Sequence, residues 1–238
     1  MGILDSLLNL VYPPECLLCH TKLLDHLSIL CNACRDSLCF NTPPFCPKCS
    51  RHILTPKNQS LCAQCRKRIP DFDIAWPAMI YNDPLKHLLH LYKYKRKTVL
   101  KSLFAELINT FLERYRVPLQ AFDYLVPMPI HPTKHREREF NQTQLIAELL
   151  AKKWHTPISS NNLIRVKHCH PQALLQEKER WTNITDAFRI RHSCVFKNKS
   201  ILLIDDLMTT GATACEAAKI CKKADASYVG VLTLAFGQ

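Results

Sequence analysis

Residues 200–213 read Ser200-Ile-Leu-Leu-Ile-Asp-Asp-Leu-Met-Thr-Thr-Gly-Ala-Thr213, and the fold follows from them. Ile201 to Ile204 is an unbroken apolar run, the pattern of a strand buried on both faces of a parallel sheet. Asp205 and Asp206 come where such a strand ends, which is where open α/β sheets place their ligands. A turn of Thr209, Thr210, Gly211, Ala212 and Thr213 follows, and Ala214 to Ala224 behind it favours helix. Backbone N–H groups and hydroxyls in such a turn can converge on one anion, and a helix N-terminus adds a favourable dipole. Gly211 supplies positive φ and lets a ligand approach the backbone; with 4 glycines in the whole chain, one placed here is not filler. Adjacent carboxylates accept from vicinal hydroxyls. A phosphate beside a diol describes a ribose 5-phosphate. No Gly-Lys-Ser/Thr follows, so the turn is not a Walker-type phosphate loop.

Outward from this stretch the pattern alternates. Tyr124-Leu-Val-Pro-Met-Pro-Ile130 reads as a strand leading into a loop at His131, and residues 140–154 as helix. Residues 228–236 form a final strand, and Phe72 to Tyr81 an early one. Pro84 to Tyr115 is a basic amphipathic helix, broken near Thr98, and Leu174 to Thr185 a helix or hood over the site. Strands alternating with helices predict an α/β fold whose parallel sheet has right-handed crossovers. The boundary falls near Pro70, giving a cysteine-rich module over 1–70 and the sheet domain over 71–238.

Eight of the 13 cysteines form four Cys-x-x-Cys pairs: Cys16/Cys19, Cys31/Cys34, Cys46/Cys49 and Cys62/Cys65. Two intervening residues make a tight knuckle that aims both sulfurs at one point, and two knuckles offer the tetrahedron that suits Zn²⁺. The pairs therefore predict about two zinc ions. Sequential pairing of knuckles needs only short loops; an interleaved cross-brace is the alternative. Four thiolates leave no open position for water, so this zinc is structural, the staple that a segment of this size needs. Loss of a cysteine is expected to affect the module first and leave the sheet folded. An odd cysteine count and no export signal argue against a disulfide framework. Cys39, Cys169, Cys194, Cys215 and Cys221 read as free thiols.

The formal charge of +12 favours anionic partners. Its densest run holds Lys93, Lys95, Arg96 and Lys97, either a solvated helix face or an anion-binding surface. Tyr92 and Tyr94 within it either stack bases or pack in the core. The apolar start is short, carries Asp5 and meets Pro13-Pro14, which predicts a cytoplasmic chain without membrane insertion. Ile3, Leu4, Leu7, Leu8 and Val11 sit at helical spacing, and Met1 to Ser6 fits the short myristoylation pattern.

The 200–213 stretch looks like the signature that type I phosphoribosyltransferases use for phosphoribosyl pyrophosphate (PRPP). Two more groups join it: Arg136-Glu-Arg-Glu-Phe-Asn-Gln142, and Pro171-Gln172-Ala173, Arg180, Asn183 and Ala187-Phe188. With the cysteine pairs in front, this ordered set resembles the ComF/GntX family of competence-associated proteins over nearly the whole chain. The resemblance implies a type I phosphoribosyltransferase fold behind a double zinc-ribbon module. It implies PRPP held with Mg²⁺, with Asp205 and Asp206 as catalytic and ribose-binding residues and Thr209 to Thr213 around the 5-phosphate. The loop at Ile130 and His131, with Arg136, Arg138 or the Lys93–Lys97 run, would meet the pyrophosphate. It also implies a part in DNA uptake and natural transformation, with single-stranded DNA and a helicase or recombination partner. Two readings follow: a transferase of the phosphoribosyl group, for which no acceptor base is evident, or a DNA-binding adapter that keeps the pocket for binding only. One residue departs from the family pattern: Glu139 stands where glycine usually precedes Phe-Asn-Gln.

Overall fold

The computed structural model describes residues 14–23, 25, 28–53, 61–168 and 177–237. The expected N-terminal helix and acylation pattern, Cys169, Pro171–Ala173 and the start of the hood lie outside the described residues. The elements are α1 (Asn32–Asp36), α2 (Ala63–Lys67), β1 (Ile74–Ile80), α3 (Asp83–Tyr94), α4 (Leu100–Arg114), β2 (Tyr124–Pro127), α5 (Pro132–Arg138) and α6 (Gln142–Trp154). Then come β3 (Leu163–Arg165), α7 (Glu177–Ile184), β4 (Phe188–Ile190), β5 (Ser200–Met208), α8 (Ala212–Lys223) and β6 (Tyr228–Phe236).

Four strands form one parallel sheet in the order β1-β6-β5-β2, and β3 pairs antiparallel with β4 beside it. The apolar run of β5 works as expected: Ile201 and Leu203 enter one core, Leu202 and Ile204 the other, and all four are fully buried. Burying one such side chain is worth about 1.5–3 kcal/mol. One face carries α3, α4 and α6 through Leu88, Phe104, Ile108 and Leu150; the other carries α8 through Ala217, Ala218 and Cys221. This is the α/β architecture expected from the sequence, a parallel sheet flanked by helices and fronted by a module with two four-cysteine clusters. The strand expected over 124–130 ends at Pro127, since prolines 127 and 129 offer no N–H to the ladder. The break expected near Thr98 is the turn between α3 and α4, where Arg96 has φ 53°. Helix α5 and the β3–β4 pair were not foreseen.

Sulfurs of Cys16, Cys19, Cys31 and Cys34 lie within 4.8 Å of one another, as do those of Cys46, Cys49, Cys62 and Cys65, so the knuckles group sequentially. In all four pairs the same bond closes the knuckle: His20, Arg35, Ser50 and Arg66 donate N–H to the carbonyls of Cys16, Cys31, Cys46 and Cys62. The Cys19–Cys31 and Cys49–Cys62 sulfurs are each 3.6 Å apart. That matches the edge of about 3.8 Å of a tetrahedron with zinc–sulfur bonds of about 2.3 Å.

The module is not a bead on a string. It covers the outer edge of β1: Ile80 donates N–H to the Cys39 carbonyl (2.8 Å), Asn41 to Ala78 (2.9 Å) and Ala75 to Lys48 (2.9 Å). The buried Asn41 side chain donates to the carbonyls of Pro77 (3.1 Å) and Ser50 (2.7 Å). Pro77 is tolerated because it sits on an edge strand. The first cluster contributes Cys16 to the core under α3 and α4, and the second contributes Cys46, Cys49, Cys62 and Cys65 to the core under α8. The ribbons thus straddle the sheet edge, and this packing speaks against a module that unfolds while the sheet persists.

Glu139 has φ 67° and ψ −10°, so the C-cap of α5 is left-handed, a conformation in which glycine costs nothing. Its carboxylate reaches Arg96 at 2.9 Å, an exposed pair of little worth. Glu139→Gly is therefore expected to stabilise the chain by about 0.5–1 kcal/mol, read as a raised denaturation midpoint. Cys46→Ser, at a fully buried ligand, is expected to cost more than about 2 kcal/mol and to lower one transition of the whole chain. Cys19→Ser, at an exposed thiol, should cost less. Calorimetry with metal analysis checks both, and a sheet transition untouched by Cys46→Ser would contradict the packing described.

Candidate functional site

The candidate site lies at the C-terminal ends of the parallel strands, in a cavity of about 410 Å³. Asp205, Asp206, Thr209 and Thr213 line it from β5 and the turn, Ile130 and Arg138 from the loop and helix after β2. Asp206 is 9% exposed, and Lys93 of α3 donates to its Oδ1 at 2.7 Å. Burial disfavours the Lys93 ammonium, but the charge and hydrogen bond of Asp206, with the charge of Asp205, together outweigh this and hold the lysine protonated. Asp205 turns back, its Oδ1 accepting from the Asp206 N–H at 2.9 Å. Burial, and then the neighbouring Asp206 charge, push the Asp205 carboxyl up to about 7.

Gly211 has φ 80°, as the turn was expected to require. A Cβ there would meet nothing closer than 3.9 Å, so the backbone conformation and not space demands glycine. The Thr210 hydroxyl accepts from Ala212 N–H at 3.3 Å, and α8 starts directly behind. Across the cavity the Met128 carbonyl accepts from the Asn141 side chain (3.1 Å) and the Thr143 hydroxyl (2.9 Å), which fixes the loop to the start of α6. Arg138 donates to Gln142 Oε1 at 3.2 Å. Gln142 Nε2 and Arg165 Nε, both in residues lining the cavity, are buried donors with no protein acceptor.

Not every expected residue is in the lining. His131 turns its Nδ1 to the Thr133 hydroxyl (3.1 Å) and packs its ring 5.0 Å from His168; burial and that histidine lower its basicity. Arg136 is exposed outside the cavity, and Ala212 and Gly211 shape the outer side of the turn. The basic run divides. Lys93 enters the site, while Lys95 and Lys97 stay exposed and Arg96 pairs with Glu139. Lys93, bound to a buried carboxylate, is thus no part of an exposed nucleic-acid surface. Tyr92 is fully buried and donates its hydroxyl to the Gln142 carbonyl (3.0 Å), which removes it from base stacking; Tyr94 is 60% exposed.

Several lining residues escaped the sequence reading. Lys86 lies seven residues before Lys93 and shares its helix face, a spacing that could have found it. Arg165 on the short β3 carries no such signal, and Gln142 was quoted only as the end of the Arg136–Gln142 motif.

Residues 7–66 match the family described as the double zinc ribbon domain. The DNA utilization protein YhgH of Escherichia coli is 27% identical over 228 residues, covering 94% of this chain and 98% of that protein. Competence protein ComFC of Bacillus subtilis is 32% identical over 221 residues, covering 86% of this chain and 83% of that one. Among solved structures, adenine phosphoribosyltransferase from Leishmania donovani overlaps 62% of this chain and 68% of its own, at 14% identity and a TM-score of 0.35. The ComFC identity over most of both chains, with the zinc-ribbon match in front, places this chain in the ComF family of competence-associated proteins.

Proposed function

We propose that the cavity beneath Asp205 and Asp206 binds PRPP with Mg²⁺. The observation that carries this reading is the set of acceptors and donors gathered in one cavity. Two carboxylates and a hydroxyl-rich turn line it together with Arg138, the Asp206-bound Lys93 and the unpartnered donors of Gln142 and Arg165. A ligand with a phosphate, a diol and a second polyanion satisfies all of them. The 5-phosphate takes the Thr209–Thr213 turn, and Asp205 and Asp206 accept from the ribose hydroxyls. The pyrophosphate meets Arg138, Arg165 and Lys93, which are fixed before it arrives. Mg²⁺ would arrive with the ligand beside Asp205 and Asp206 and would supply charge neutralisation there.

Transfer would break the bond from C1 to pyrophosphate and form one from C1 to an acceptor, with the Asp pair offsetting the positive charge at C1. Binding without turnover is the second reading, and the Lys93–Asp206 pair favours it, because one ribose acceptor is already engaged. Pyrophosphate release that needs an added acceptor separates the two. The names of the relatives, DNA utilization and competence, support a role in DNA uptake, with single-stranded DNA and a helicase or recombination protein as partners. A cytoplasmic place agrees with the described residues, among which no helix is long and apolar enough to cross a membrane.

Calorimetry with PRPP and Mg²⁺ is expected to show one binding event. Asp206→Asn keeps the shape but removes a charged acceptor worth roughly 1.5–3 kcal/mol, so affinity should fall about ten- to a hundredfold. Gly211→Val should do at least as much damage by forcing a β-branched residue to φ 80°. Equal binding by folded variants would refute the assignment. The pH dependence has a definite sign. Asp205 keeps its proton below about 7, so affinity should rise from about pH 6 to about pH 8 as the second acceptor becomes charged. The same raised pKa favours the folded chain at low pH, and that contribution is lost as pH rises through about 7.

A further inference from the structure

A second, larger cavity of about 760 Å³ lies between the second cysteine cluster and the outer side of the phosphate turn. Its floor is apolar, with Phe72, Met208 and Phe236 from the core under α8. Arg51, Gln64, Lys67 and Arg68 wall it from the zinc-ribbon side, Trp181 of α7 joins that wall at Arg68, and Thr209, Thr210 and Gly211 form its inner rim. It shares only Thr209 with the pocket of Asp205 and Asp206.

Three features define what this cleft accepts. Guanidinium groups stack on its aromatic rings: Arg51 lies 4.0 Å from the Phe236 centroid and Arg68 3.6 Å from that of Trp181. Arg51 hydrogen-bonds Gln64 through Nη2, while its buried Nε has no acceptor. Finally, three cations line the cleft beside Cys49 and Cys65 of the second cluster, with no carboxylate among the described lining residues; Asp71, close enough to act on the Cys215 thiol, is outside the lining. An apolar ligand would leave the Arg51 Nε unpaired, and a bare phosphate would fill little of the volume and leave the apolar floor without a partner. A planar aromatic group carrying a negative charge answers both needs. The volume falls within the range of about 300–1,000 Å³ of small-ligand sites. Cys215 at the edge is no nucleophile, because burial pushes its thiol up to about 12.

We propose that this cleft binds a nucleotide unit, its base packed against the Arg68–Trp181 stack and its phosphate held by Arg51 and Lys67. The unit is either a free nucleotide or one residue of a single DNA strand; the chemistry is the same. The cleft stands apart from the PRPP pocket and does not depend on that reading.

Equilibrium dialysis of the zinc-loaded chain with thymidine monophosphate, and separately with a short oligothymidylate, tests it. Retention of at least one probe is expected, and Trp181→Leu or Arg68→Gln should weaken it about tenfold, the usual effect of losing one stacking platform or charged contact. Arg68 is exposed, so its variant folds even if Trp181→Leu does not, and zinc content monitors both. Retention of the oligonucleotide alone identifies the strand as the source; retention of both at similar affinity identifies the single nucleotide as sufficient. The Asp206→Asn chain should retain the probe like wild type. Failure to retain either probe, unchanged retention by both cleft variants, or a loss in Asp206→Asn equal to theirs would overturn the proposal.

Discussion

The burial of β5 on both faces is the constraint from which the rest of the structure follows. Ile201 to Ile204 cannot lie on a solvated sheet, so helices must cover both sides, and β6 and β2 must flank the strand to satisfy its backbone. A strand fixed this firmly can end in groups that are costly to bury. Asp205 and Asp206 stand side by side with little solvent, and their mutual repulsion is offset by Lys93 and by a proton held on Asp205 to about pH 7. The stability of the core thus holds a strained pair of carboxylates ready at the mouth of the cavity.

Covering the far edge of the sheet follows a similar logic. A parallel sheet ending in β1 would expose a row of backbone groups. The zinc ribbons occupy that edge with backbone and Asn41 hydrogen bonds, and each places a cysteine cluster in a different core. A segment too small to fold by burial alone gains a metal staple and a share of a larger core. The docking has a functional consequence as well. It brings Arg51 and Arg68 over Phe236 and Trp181, and so builds a second cationic, aromatic surface beside the phosphate turn.

What sequence could reveal depended on how local the physics is. The strand–turn–helix around Gly211 was legible because strand, carboxylates, glycine and helix start lie within fourteen residues, 200–213. The cysteine knuckles were legible for the same reason, though their grouping was not, since either arrangement satisfies the spacing. Lys93 was read within a basic run that was either solvated or turned to an anion, and only the fold brings it to Asp206, 113 residues later. Arg165 stayed hidden because nothing local distinguishes an arginine on a short strand, and Gln142 was quoted within the Arg136–Gln142 motif but given no role. Glu139 was legible as a departure, and its positive φ explains why glycine suits that position. Docking of the module on β1 left only one trace in the sequence, Pro77 within an apolar strand, which marks an edge.

The central claim is that one cavity is complementary to PRPP. A crystal structure of the zinc-loaded chain with PRPP and Mg²⁺ tests it most directly. The account predicts the 5-phosphate in the Thr209–Thr213 turn, the ribose hydroxyls on Asp205 and Asp206, and the pyrophosphate against Arg138 and Arg165. A ligand found instead in the cleft beside Trp181, or a cavity that stays empty at saturating ligand, would contradict it.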